Sequence, residues 1–132
     1  MNGDYSLTLV DVLDTFVVMG DVRGFHEAVS NVLQYVSFDN DVKVQVFEVT
    51  IRVLGGLLSA HIYASDPSVS SAALDFTIPG YNDELLTLAR DLANRLLPAF
   101  SNSPTGLPFA RVRVRLYIAT MLDLILSSSP LP

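Results

Sequence analysis

The chain contains no cysteine, which excludes an internal disulfide framework and any thiolate metal site. Its two histidines, His26 and His61, lie in no H-E-x-x-H or other paired-ligand spacing, so a zinc centre lacks its donors. No G-x-S-x-G, Walker or Rossmann pattern occurs, which removes the usual supports for a nucleophilic serine or a bound nucleotide. Asp39 and Asp41 sit in a turn cluster, Ser37-Phe38-Asp39-Asn40-Asp41, but the glycine and glutamate of a calcium-binding loop are missing at its sixth and twelfth positions. Only 17% of the residues are charged while 50% are apolar, against about 25% charged in ordinary soluble domains. That excess of core-type residues reads as the interior of something larger, or as a domain completed by a partner.

Positive charge is scarce, with eight Lys and Arg against fourteen Asp and Glu and a net charge of −6. A nucleic-acid or anionic-membrane partner therefore has little electrostatic support. The one basic run, Arg111-Val112-Arg113-Val114-Arg115, alternates with period two and reads as a strand with one solvated face in preference to a phosphate site. The N-terminus, Met1-Asn2-Gly3-Asp4-Tyr5, has neither the basic nor the apolar region of a signal peptide. The uncharged apolar run Leu116 to Leu122 falls short of the ~20 residues of a membrane helix, so no transmembrane segment is expected. No Asn-x-Ser/Thr sequon is present.

At 132 residues the chain has room for one domain or part of one. Leu9, Leu13, Phe16 and Val17 mark a helix over 9–19 that Gly20 closes, with Thr8 and Asp11 as a capping-box-like start. Asp11 there serves as helix N-terminal charge or as part of a site. Phe25, Ala28, Val29, Val32, Leu33 and Val36 mark a second helix, with His26 on its polar side. The short link at Gly20-Asp21 makes the two an antiparallel αα-hairpin. Residues 42–46 alternate as a short extended lead-in. Ser65 to Gly80 is a long Ser/Pro/Asp-rich loop, after which Asn82 is placed to cap a helix over 83–97, with Leu85, Leu88, Ala89, Leu92, Ala93 and Leu96 repeating at three and four residues, that Pro98 stops. Pro98 to Pro108 reads as irregular loop. Two helical hairpins in tandem point to an all-α repeating architecture, a solenoid or an (α/α) barrel.

The stretch from Val46 to Ala60 organises the rest. Ile51, Leu54, Leu58 and Ile62 recur at three- and four-residue steps, predicting a buried stripe on a helix. Glu48 and Arg52, four apart, share one face. Gly55/Ser59 and Gly56/Ala60 form two small-residue rows where another helix can approach, offsetting the cost of about 1 kcal/mol per mid-helix glycine. Glu48, beside Phe47 at the start of this apolar helix, is the best candidate acid: desolvation there would raise its pKa, as a general acid at neutral pH needs. The structural alternative is a Glu48–Arg52 ion pair that stabilises the helix.

Three blocks, Ser6 to Gly20, Val46 to His61, and Arg95 to Phe100 followed by Pro104-Thr105-Gly106-Leu107-Pro108, resemble in order the N-terminal third of the class I α-1,2-mannosidases, glycoside hydrolase family 47. Val36-Ser37-Phe38-Asp39 and Tyr81-Asn82-Asp83-Glu84-Leu85-Leu86 resemble its ER degradation-enhancing α-mannosidase-like subgroup. The resemblance implies a partial (α/α)7 barrel of about two αα-hairpins over residues 1–113, with 114–132 a divergent tail. It implies inverting hydrolysis of α-1,2-linked mannose on high-mannose N-glycans in the endoplasmic reticulum lumen, with calcium as cofactor of the full-length family. Glu48 of the motif Phe47-Glu48-Val49-Thr50-Ile51-Arg52 is then the catalytic acid, Arg52 lines the sugar pocket, and Asp11 and Asp14 lie beside it as substrate-binding residues. The family's second carboxylate and its calcium-holding threonine have no counterpart in the chain, so no calcium ligand is identified and the chain alone is expected to be inactive. A severed barrel is also expected to self-associate through exposed apolar faces. The alternative function is a non-catalytic helical module that binds glycan or protein.

Overall fold

The computed structural model describes residues 6–70, 74–101 and 103–114. Helix α1 spans Leu7–Met19 and α2 spans Val22–Tyr35. Gly20 adopts the left-handed conformation (φ 73°) and its N–H closes the end of α1, as its position in the sequence predicts. Asp21 then caps α2 by accepting from the Gly24 N–H at 2.9 Å. Phe16 of α1 lies so close to Gly24 that a Cβ there would sit 2.7 Å from its ring, so the hairpin depends on a residue without a side chain. The N-terminal cap differs from expectation. Ser6, at φ 51°, precedes the helix without a side-chain bond, and Thr8 and Asp11 both lie inside it.

A twenty-residue helical stretch, Val46–Ser65, follows. It begins as α3 (Val46–Val49), widens into a π-helical turn over Thr50–Leu54, and continues as α4 (Gly55–Ser65). Within the wide turn the Gly55 N–H bonds the Thr50 carbonyl, while the Thr50 hydroxyl donates to the Val46 carbonyl at 2.7 Å. This stretch is long and apolar enough to cross a bilayer by length and composition alone, although Glu48 and Arg52 interrupt its apolar run. Here it is the element against which α1 and α5 pack.

The buried stripe of that helix is not the predicted one. Val46, Val49, Val53, Leu57, Ala60 and Ala64 face the core, whereas Phe47 (79% exposed), Ile51 (56%), Leu58 (38%) and Ile62 (47%) face outward. The helix is apolar all round, so periodicity alone does not choose its inner face. Small residues choose it. A Cβ on Gly56 would lie 3.0 Å from Val10 Cγ1 of α1, and only the Gly56/Ala60 row permits that approach. A Cβ on Gly55 would meet nothing within 4 Å beyond the Thr50 carbonyl.

A 3₁₀ turn at Pro67–Val69 starts the long connection, which Phe76 pins to the core with its ring edge-on to Phe25 at 5.5 Å and to Tyr63 at 6.0 Å. Helix α5 covers Glu84–Leu96 and buries Leu85, Ala89, Leu92 and Leu96, the stripe its sequence predicts. Asp83, at φ 61°, occupies the position before it, and Asn82 instead gives its backbone N–H to Glu84 Oε2. The Tyr81 hydroxyl takes over the capping, accepting from the Leu85 N–H at 3.1 Å. Pro98 ends α5 and opens a short helix, α6, over Pro98–Ser101, where a loop is expected.

The chain is mostly helical but not all-α. Lys43–Gln45 (β1) pairs antiparallel with Arg111–Arg113 (β2), Lys43 opposite Arg113 and Gln45 opposite Arg111. Both strands alternate as their sequences predict, with Val44 fully buried and the charged residues outside. Arg95 of α5 is buried, its guanidinium donating to the Phe38 carbonyl and to Asp91, each at 2.9 Å. The tail expected to diverge lies, but for Val114, outside the described residues.

Candidate active site

The π-helical turn carries Arg52 toward α1, where three of the four predicted site residues meet. Arg52 Nη1 donates to Glu48 Oε1 at 2.7 Å, and its Nε and Nη2 donate to the two carboxylate oxygens of Asp11. The spacing predicts the first contact as a same-face pair on one helix. The second joins residues 41 apart in sequence and follows from the close seating of α1 on Gly56. Asp14, one turn further along α1, accepts instead from the Ser59 hydroxyl at 2.7 Å. The structure therefore brings Glu48, Arg52 and Asp11 together and leaves Asp14 as the next rung on the same helix pair. Ser59, read from sequence only as a small packing residue, is the member that sequence reasoning missed. No local pattern signals it, because its partner Asp14 lies 45 residues away on α1.

The environment of Glu48 differs from the desolvated pocket expected of it. Phe47 is largely solvent-exposed, and the side chains of Glu48, Asp11 and Arg52 retain 32%, 35% and 41% of their accessible surface. Two carboxylates surround one guanidinium, so the cluster carries a net negative charge on an open face. Donating hydrogen bonds to Asp11 first, and then to Glu48, pushes the Arg52 guanidinium further above its ordinary value. The cluster is thus a fixed cation flanked by two carboxylate acceptors.

Two cavities lie elsewhere. A groove of about 390 Å³ between α1 and α2 is lined by Leu9, Val12, Phe16, Arg23 and Glu27 among others. A smaller one of about 220 Å³ is lined by His26, Leu33, Ile78, Tyr81 and Glu84 among others. Neither is lined by Glu48, Arg52, Asp11 or Asp14. The histidines have structural partners: His26 Nε2 bonds the Phe76 carbonyl at 3.2 Å, so this residue is half-buried and not on a wholly polar side, and His61 Nδ1 shares a 3.0 Å hydrogen bond with the Tyr81 hydroxyl. Burial pushes the Tyr81 hydroxyl above its ordinary value. Among the described residues no three His, Cys, Asp or Glu side chains gather to hold an ion.

The family model for glycosyl hydrolase family 47 matches residues 1–121. The "ER degradation-enhancing alpha-mannosidase-like protein 1" of Schizosaccharomyces pombe is 59% identical over 114 residues, covering 86% of this chain and 14% of that protein. The "ER degradation-enhancing alpha-mannosidase-like protein 3" of Homo sapiens is 47% identical over 113 residues, covering 86% of this chain and 12% of that protein. Among solved structures, an alpha-1,2-mannosidase from Trichoderma reesei superposes with a TM-score of 0.60 at 33% identity, over 83% of this chain and 22% of that one. The chain thus spans less than a quarter of the length of each of these proteins.

Proposed function

The chain belongs to glycosyl hydrolase family 47, and from that premise we propose that it supplies the proton-donor arc of an α-1,2-mannosidase acting on high-mannose N-glycans. In this reading α1/α2 and α4/α5 are two hairpins of an (α/α)7 barrel. Glu48 donates a proton to the departing glycosidic oxygen. Arg52 holds that carboxylate and the sugar in register, and Asp11 and Asp14 accept from sugar hydroxyls. An inverting glycosidase also needs a second carboxylate ~6.5–9.5 Å from the acid to activate water, and we assign that base, and calcium, to parts of the whole protein outside this chain. The names of the relatives, which place them in degradation from the endoplasmic reticulum, support the same compartment for this one.

The observation that carries the proposal is the Glu48–Arg52–Asp11 cluster. An acid, a cation and a second acceptor stand on one open face, held by contacts between two helices. Mannose release from a high-mannose glycan by the whole protein tests it. Glu48→Gln is expected to lower kcat by about 10²–10⁴-fold, the usual weight of a general acid, and the 132-residue chain alone is expected to release none. Unchanged turnover in Glu48→Gln would sink the assignment.

A second reading, a non-catalytic module that binds glycan or protein, is favoured by the Glu48–Arg52 pair itself, since an ion pair at 2.7 Å is a sufficient structural role for both side chains. Under it, Glu48→Gln leaves turnover by the whole protein unaltered and weakens glycan or partner binding by the chain.

A further inference from the structure

The alternating run at 111–113 takes no part in the glycosidase reading, and its placement points to a separate use. Val46 N–H bonds the Ala110 carbonyl and Val114 N–H bonds the Val42 carbonyl. These are hydrogen-bonded pairs of the antiparallel ladder, so by alternation Lys43/Arg113 and Gln45/Arg111 are non-hydrogen-bonded pairs whose own N–H and C=O groups point outward. The residues offering backbone groups at the sheet edge are therefore the ones carrying the exposed basic side chains.

The charge is concentrated and poorly compensated. Lys43 stands directly opposite Arg113, a like-charge pairing that costs stability, and Arg111 is its diagonal neighbour on the same face. Among the described residues only Asp41 answers them, reaching Arg113 at 3.4 Å. This occurs in a chain with eight basic residues and a net charge of −6. Charges on an edge normally keep other strands away. A row of a single sign is selective instead, because it repels a basic strand and attracts an acidic one.

We propose that the outer edge of β2 is a docking site for an extended acidic polypeptide segment, which adds as a third strand and sets carboxylates at every second position beside Arg111 and Arg113. The intervening side chains lie on the face that Val112 shares with the core, so the segment reads acid–apolar–acid. Main-chain hydrogen bonds to residues 111 and 113 supply affinity, and the alternate carboxylates supply selection.

The test is fluorescence anisotropy with the full 132-residue chain and a labelled peptide alternating Glu and Val. Arg111→Glu/Arg113→Glu is expected to weaken binding about tenfold or more, from two exposed ion pairs replaced by repulsion. The milder Arg111→Gln/Arg113→Gln gives the same direction if the reversed variant does not fold, as judged by circular dichroism. Methylating the alternate backbone nitrogens that face the edge is expected to abolish binding while leaving every charge in place. Three results would overturn the proposal: no binding by the unaltered chain, equal binding of the N-methylated peptide, or equal or tighter binding of an oligothymidylate or of a peptide with its glutamates in one block.

Discussion

Arg52 on the central helix grips Asp11 on α1 with two of its three guanidinium nitrogens while the third holds Glu48 one turn back on its own helix. A single side chain thereby orients the candidate acid and locks the two helices that carry the site. Lysine cannot reproduce this, because one ammonium lacks the planar fork that reaches two carboxylates at once.

The first prediction concerns that coupling. In a double-mutant cycle, Asp11→Asn is expected to destabilise the chain when Arg52 is present and to do little when it is Met. Thermal melting of the four proteins reads the interaction directly. Additive shifts would show that Arg52 and Asp11 touch without supporting one another. Raising the salt concentration is expected to shrink the coupling, since both side chains are partly in water.

A second prediction separates three glycines. Gly55 has ordinary helical angles and open surroundings, so Gly55→Ala is expected to stabilise by up to about 1 kcal/mol through helix propensity. Gly56→Ala gains the same propensity but presses Val10, and its stability is expected to fall below that of Gly55→Ala. Gly24→Ala places a Cβ 2.5 Å from Asp21 Oδ2 and 2.7 Å from the Phe16 ring, and an overpacking loss of about 1–3 kcal/mol is expected. Urea denaturation orders the three, and a Gly24→Ala protein as stable as the parent would mean that the α1/α2 hairpin tolerates separation.

The third prediction follows from Tyr81. Its hydroxyl caps α5 through the Leu85 N–H and also meets His61 on α4, so Tyr81→Phe removes two contacts at one helix start. A loss of about 1 kcal/mol is expected. Hydrogen exchange checks the mechanism, with the first-turn amides of α5 losing protection before those of α2.

What the residues disclosed and what they hid divides along one physical line. Gly20, the α2 stripe, the α5 stripe and the alternation at 43–45 and 111–113 are local signals, and each produced the element expected of it. The pairing of those two strands is a long-range event that no local pattern announces. Neither does the face that the central helix buries. With apolar residues on all sides, Ile51 and Leu58 looked as good as Val53 and Leu57 until the partner helix chose the row containing Gly56 and Ala60. In the site, the Glu48–Arg52 pair was legible from its spacing of four, whereas Asp11 joined it on family resemblance alone. Ser59 went unread because a serine in a small-residue row gives no sign that its hydroxyl is needed.

The last prediction concerns acid. Asp66 accepts from the Ser68 N–H at 2.8 Å, and Asp75 accepts from the Thr77 hydroxyl at 2.7 Å and its N–H at 2.9 Å. The Ser68 and Thr77 side chains first, and their backbone N–H groups second, hold the two carboxyls below the ordinary carboxylate range. A group depressed in the folded state contributes stability above its unfolded value, near ~3.9 for Asp, and loses that contribution as pH falls through its folded value. Asparagine keeps the acceptor oxygen without the titration. Asp66→Asn/Asp75→Asn is therefore expected to lose less melting temperature than the parent between about pH 5 and pH 2.5. Melting curves that fall in parallel would show that these turns do not sense protonation. A shallower fall would locate part of the acid sensitivity in the connection that carries Phe76 to the core, because both turns flank that ring and hold the loop from which it enters.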